Sequence, residues 1–322
     1  MTQHSLPFSI LSASLAVGKP APPGWQSIAK HPLLVIVGVT GVGKSTTLAR
    51  LAELGLRHTL LPDRRVLTDR LIISTMQAVD DQPIQPVSDR KLRFEYTRRY
   101  RDLHPGGMAH ALAQLLVEDS HPLGLLIFDG LRGDNEIEQA SRLLPHARFV
   151  MLDAPDTVRV QRLLGRQDSF DQINTGHANR NYQPLPSPPL KREGTVDRET
   201  VPPPGRGRVG GGGLVVTANP AGATGALSFA ALGAAEAAQL FSSDEQQSVL
   251  ALVTQGSVSA QEMAAKLQIV VEERRNYDPA ATRRALLNCA AERSLIIDTT
   301  LHSVKAVARL ILDKLQGWGL GS

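Results

Sequence analysis

Gly38-Val-Thr-Gly-Val-Gly-Lys-Ser45 matches the pattern G-x-x-x-x-G-K-[ST] in full. The chemistry that these residue types do together is phosphate binding. Gly38 and Gly43 accept backbone angles that turn several N–H groups toward one point. A helix that starts near Lys44 aims its positive end at the same point. The ammonium of Lys44 then reaches the β- and γ-phosphates of a nucleotide, and the Ser45 hydroxyl joins a Mg²⁺ shell. The binding set is Gly38, Gly41, Val42, Gly43, Lys44, Ser45 and Thr46, with ATP and Mg as the implied cofactors. A chance glycine-rich turn is the plain alternative, and the context argues against it. Leu33-Leu-Val-Ile-Val37 reads as a strand buried on both faces, and Thr46–Glu53 reads as a helix.

A second acidic element follows downstream. Leu125-Leu-Ile-Phe-Asp129 is an apolar strand that ends in a carboxylate, the form in which an Asp holds Mg²⁺, usually through water. Asp153, which closes Phe149-Val-Met-Leu-Asp153, competes for that role, although Ala154-Pro155 and the helix behind it favour a strand-end cap. With these pieces in hand the chain resembles the P-loop kinase branch of the P-loop NTPases. The resemblance covers about 31–172 and 280–316. Kinases of that family often carry R-x-x-x-R leading into a mobile lid, here Arg162-Leu-Leu-Gly-Arg166. The resemblance implies that Arg162 and Arg166 close over the transferring phosphoryl group and stabilise its charge. The alternative is a solvated helix face, because Arg159, Arg162 and Arg166 recur at i, i+3, i+7. Ser294–Thr300 reads as a strand, and Ser303 can cap a next helix with Val304, Val307, Ala308, Ile311 and Leu315 on its apolar face, and the resemblance implies that this strand and helix complete the sheet.

The acceptor side is less marked. Pro62-Asp63-Arg64-Arg65 follows a second strand at about Arg57–Leu61. Asp63 is a candidate base for an acceptor hydroxyl, and Arg64 and Arg65 are candidates to bind an anionic acceptor. An ordinary charged turn explains the same residues. Arg90, Lys91, Arg93, Arg98, Arg99 and Arg101 are interleaved with Phe94, Tyr96 and Tyr100. That stretch fits a nucleic-acid contact, a solvated helix face, or an acceptor-binding lobe across the sheet top, the last being preferred. His104-Pro-Gly-Gly107 reads as a turn before a helix over Met108–Val117, and the polar cluster Glu272–Asp278 receives no role.

The elements that must position these residues alternate short apolar runs with helical patterns, which predicts an α/β fold. The expected architecture is a five-stranded parallel sheet with helices on both faces and a helical insertion region. Residues 1–30, with Pro20, Pro22, Pro23 and Gly24, read as a flexible extension, and 31–173 as the P-loop core. Residues 174–224 read as a disordered insertion. Its Pro-rich block Pro184–Leu190 and Gly/Arg-rich block Pro202–Gly213 resemble a translated inverted repeat, or form an ordinary linker. Residues 225–279 read as a helical lid or accessory segment, and 280–322 as the strand and helix that complete the core.

Composition bounds the rest. The 322 residues suffice for one large domain or two ordinary ones, and one cysteine, Cys289, excludes a disulfide framework or a Cys-based metal site. A net charge of +4 is too mild for a nucleic-acid coat. No run approaches a membrane span, and Leu6–Val17 lacks the charged start of a signal peptide, so a cytoplasmic setting is expected. Two functions stay open. One is a kinase that phosphorylates a small-molecule or nucleotide acceptor. The other is an ATPase or nucleotide-dependent switch acting on a protein or nucleic acid. The chain has no N-K-x-D base-reading loop, and 225–279 is short for the second domain of an AAA-type motor, which favours the kinase.

Overall fold

The computed structural model describes residues 6–119, 124–165 and 227–320. Its strands are β1 (Ser9–Ser12), β2 (Leu15–Val17), β3 (Trp25–Ser27), β4 (Leu33–Val37), β5 (His58–Leu60), β6 (Leu116–Glu118), β7 (Leu125–Phe128), β8 (Ala147–Asp153) and β9 (Ser294–Asp298). The helices are α1 (Lys44–Glu53), α2 (Arg64–Leu67), α3 (Ser74–Val79), α4 (Arg90–Leu103), α5 (Met108–Ala113), α6 (Asp134–Leu143), α7 (Asp156–Leu164), α8 (Ser243–Thr254), α9 (Ala260–Asn276), α10 (Pro279–Cys289) and α11 (Val304–Gly317).

β5, β7, β4, β8 and β9 form a parallel five-stranded sheet in that order. β4 is central, and its continuous apolar run follows from burial on both faces. Because successive side chains of a strand alternate, Leu33, Val35 and Val37 enter one core while Leu34 and Ile36 enter the other. The first core is closed by α5, α6 and α10 through residues such as Leu112, Ile137 and Leu286. The second is closed by α1 and α11 through Leu48, Leu51, Val307, Ala308, Ile311 and Leu315. Four of the five residues expected on the apolar face of α11 are thus buried. Val304 is not, because it lies at the first helical position and stays exposed.

Two expectations are corrected. Residues 9–27, read as part of a flexible extension, form a second sheet with β6 in the order β1-β2-β6-β3. Leu6, Leu15, Val17 and Ile28 are buried against the first core, and Phe8 meets Trp25 edge to face at 5.4 Å. That burial offsets the ordering entropy that Pro20–Gly24 alone would not. The helix expected over Met108–Val117 stops at Ala113, because Leu116–Glu118 is drawn into that sheet. Residues 174–224, with the proposed Pro/Gly insertion, lie outside the described residues.

After that segment, α8 begins at a capping box, with Ser242 accepting from the Glu245 N–H and Glu245 returning the bond. α9 begins at Ser259, whose hydroxyl accepts from Glu262 N–H. Phe229, Phe241, Val249, Met263, Leu267 and Val270 pack with Val160 and Leu163 of α7 into a third core. The carboxyl end of α9 is thereby brought to the carboxyl ends of the sheet strands, where the glycine loop lies.

Candidate nucleotide-binding site

The loop after β4 is shaped by its glycines. Gly43 caps α1 with φ of 100°, a conformation that side chains with a Cβ rarely take, so the helix can begin at Lys44 directly from the turn. A Cβ on Gly41 would stand 3.1 Å from the backbone of Arg159, so the loop lies tightly against α7. Ser45 and Thr46 are exposed in the first turn of α1, open to a ligand at the positive helix end.

Lys44 Nζ donates to Gly38 O at 2.7 Å and Val39 O at 3.1 Å. Burial pushes its pKa down to about 8, the Arg132 guanidinium adds to that, and Asp129 and Glu273 oppose it. A triphosphate beside this ammonium adds negative charge and favours its proton. Binding of ATP at pH 8 is therefore expected to take up roughly half a proton, and affinity should fall as pH rises above that value. Calorimetry in buffers of different ionisation heat measures the uptake. No uptake in the unmodified chain, or the same uptake in Lys44→Ala, would overturn this expectation.

β7 pairs directly with β4, with Val35 opposite Phe128, so Asp129 emerges beside the start of the glycine loop. Asp129 lies near enough to Lys44 to act on its charge. Asp153 instead turns its carboxylate onto the Ala154 N–H at 2.9 Å, a strand-end cap. Among the described residues no three His, Cys, Asp or Glu side chains converge to hold a metal. The hard oxygens of Ser45 and Asp129 fit Mg²⁺ as a set completed by phosphate and water, which is how that ion is usually held.

α7 contributes two arginines, and neither lies on a solvated face. Arg159 is 1% exposed. It donates from Nε to Thr40 O at 2.8 Å and pairs with Asp156 and Glu273. Arg162 donates to Thr299 Oγ1 at 2.8 Å, to Thr299 O at 3.0 Å and to Gly41 O at 3.3 Å. It therefore joins the loop to the end of β9. Arg166 lies outside the described residues.

The acceptor-side residues are placed as follows. Asp63 caps α2, accepting from Val66 N–H at 2.8 Å, and is exposed. Arg64 is engaged rather than open to an anion. It pairs with both oxygens of Glu136 at 2.8 and 2.6 Å and donates to Gly130 O at 2.9 Å. On α4, Tyr96 and Tyr100 are buried, and Arg99 grips Asp80, while Arg90 stacks on exposed Phe94. A Cβ on Gly106 would clash with Gln139 of α6 at 2.3 Å, so this glycine serves packing.

Two residues at the loop went unrecognised in the sequence. Glu273 of α9 accepts from Thr40 N–H and Thr40 Oγ1, the latter at 2.6 Å, and from Arg132 at 3.0 Å. Arg132 itself is held by its backbone N–H donating to Glu136 at 2.8 Å. Ion pairs and hydrogen bonds thus run from Arg64 through Glu136 and Arg132 to Glu273, Arg159 and Asp156. Asp278, in the same polar stretch of sequence, caps α10 instead.

Residues 34–182 match the family model described as an AAA domain. The chain has a P-loop NTPase fold. No curated protein matches it. The P-loop NTPase domain, with the parallel sheet and glycine loop in place, is a nucleotide-binding one. Among the described residues no helix is long and apolar enough to cross a membrane.

Proposed function

We propose that this P-loop protein is a kinase, which transfers the γ-phosphoryl group of Mg·ATP to a small-molecule or nucleotide acceptor. The observation that carries the reading is the approach of α7 to the loop. Arg162 reaches Gly41 O, and Arg159 reaches Thr40 O, so two guanidiniums flank the turn that faces the phosphates. Positive charge held there acts on the transferring group as its bonds change.

In this reading the acceptor oxygen attacks the γ-phosphorus as the bond to the β–γ bridging oxygen breaks, and ADP leaves. The acceptor's proton passes to a carboxylate, for which Asp63 at the carboxyl end of β5 is the candidate. Ser45 and Asp129 would hold Mg²⁺, which would supply charge neutralisation at the β- and γ-oxygens. Lys44 turns from Gly38 O and Val39 O toward the phosphates.

The match to an AAA domain keeps an ATPase or switch as the second reading. ADP release measured with a panel of small hydroxyl and phosphate acceptors, beside a no-acceptor control, separates the two. Release at least tenfold faster with one acceptor is expected. Stimulation by RNA, DNA or protein alone overturns the kinase and supports the switch.

A further inference from the structure

α9 carries a carboxylate into the glycine loop, and phosphoryl transfer gives it no task. Glu273 is 7% exposed. Its donors are a loop amide and a loop hydroxyl, both of Thr40, and two guanidiniums, Arg132 and Arg159. An amide, a hydroxyl and two arginines that converge on one anion are also what a phosphoryl group requires. Arg132, Glu273 and Arg159 also lie near enough to Lys44 to act on its charge. Yet Lys44 donates to the loop's own carbonyls rather than outward.

We infer that Glu273 holds the γ-phosphate subsite as an internal anion, and so determines how the loop discriminates triphosphates from diphosphates. The inference rests on the nucleotide-binding reading. A γ-phosphate offers more negative charge and more acceptor oxygens than a carboxylate, so it can take over Thr40, Arg132 and Arg159. A diphosphate has no group to put in that place and leaves Glu273 where it is. Only the triphosphate therefore gains by moving the carboxylate, and only a ligand with differential affinity for two arrangements shifts them. The displaced carboxylate releases the last turns of α9 from the loop, while Val270 and Val271 remain in the third core.

Removing the competing charge should favour the triphosphate. The affinities of ADP and of a non-hydrolysable ATP analogue are measured by calorimetry in the unmodified chain, Glu273→Gln and Glu273→Ala. The ratio of analogue to ADP affinity is expected to rise at least tenfold in both variants. An unchanged or falling ratio overturns the inference. Hydrogen exchange in the unmodified chain keeps the test valid should either variant fail to fold. Amides of 272–277 should exchange faster with the analogue bound than with ADP bound, and equal rates overturn it. If neither nucleotide binds the unmodified chain, the nucleotide reading fails and takes this inference with it. If both bind and the ratio and exchange rates do not respond, the inference alone fails.

Discussion

Lys44→Ala is expected to lower Mg·ATP turnover by about 10²- to 10³-fold, the range found when one preorganised charge or donor is removed from a phosphoryl- or acyl-transfer site. The ammonium sits among Asp129, Glu273, Arg132 and Arg159, which all act on its charge. Its stem leaves the first position of α1, so its reach is fixed by the helix start at Gly43. Alanine keeps that start, because it is the best helix former, and the loop loses only the ammonium's bonds to Gly38 O and Val39 O. The loss should consequently appear in turnover and triphosphate affinity, with the melting temperature little changed. Steady-state ADP release and calorimetric binding on the same preparation give both quantities. Unchanged turnover and affinity in a folded Lys44→Ala protein would remove the phosphate-binding role of this loop.

What the sequence made legible was local. A buried strand, a glycine loop and a helix occupy the consecutive positions from Leu33 to Glu53, and each constrains the next, so periodicity and turn chemistry together were enough. The order of the five parallel strands was expected only in kind, because crossover rules limit the topologies without choosing among them. The small sheet was missed for a different reason. Strands of three or four residues, such as Leu15–Val17 and Trp25–Ser27, are too short to show a period of two. β6, which joins them, lies in a stretch that reads as helix until its partners are known.

The charged cluster marks the sharper limit. Glu273 reaches Thr40 across 233 positions, and Arg132 reaches Glu273 across 141. Glu272-Glu-Arg-Arg275 looks like the solvated end of any helix, and Glu272 and Arg275 behave accordingly, exposed and paired with each other, while Arg274 reaches Asp156 of α7. Nothing local separates Glu273 from Glu272. The packing of α9 on α7 does, by turning one of the two toward the loop. Arg159 illustrates the converse error. Its spacing with Arg162 suggests a common solvated face, yet the first is buried and the second half-buried, because α7 is pressed against the loop at Gly41.

Arg159→Ala is expected to cost about 3–5 kcal/mol of stability, the loss that follows when one member of a buried ion-pair set is removed and its partners stay charged. Asp156 and Glu273 are 6% and 7% exposed, so water cannot readily replace the guanidinium. Arg274 holds Asp156 at 2.6 Å, and Arg132 holds Glu273 at 3.0 Å, which places the loss nearer the lower figure. Thr40 O also loses the bond from Nε, so the loop loosens where it meets the phosphates. Lysine should recover little, since one ammonium cannot serve Thr40 O, Asp156 and Glu273 in three directions as a planar guanidinium does. Arg162→Ala provides the contrast. Its bonds to Thr299 and Gly41 O go to uncharged groups, and Asp298, on whose charge it also acts, is exposed, so its stability loss should be the smaller of the two, about 2 kcal/mol. Denaturant titration of the three variants gives the comparison. A loss below about 1 kcal/mol for Arg159→Ala would mean that Asp156 and Glu273 are satisfied without it. The clamp between α7, α9 and the loop would then rest on apolar packing of Val160, Leu163 and Val270 rather than on charge.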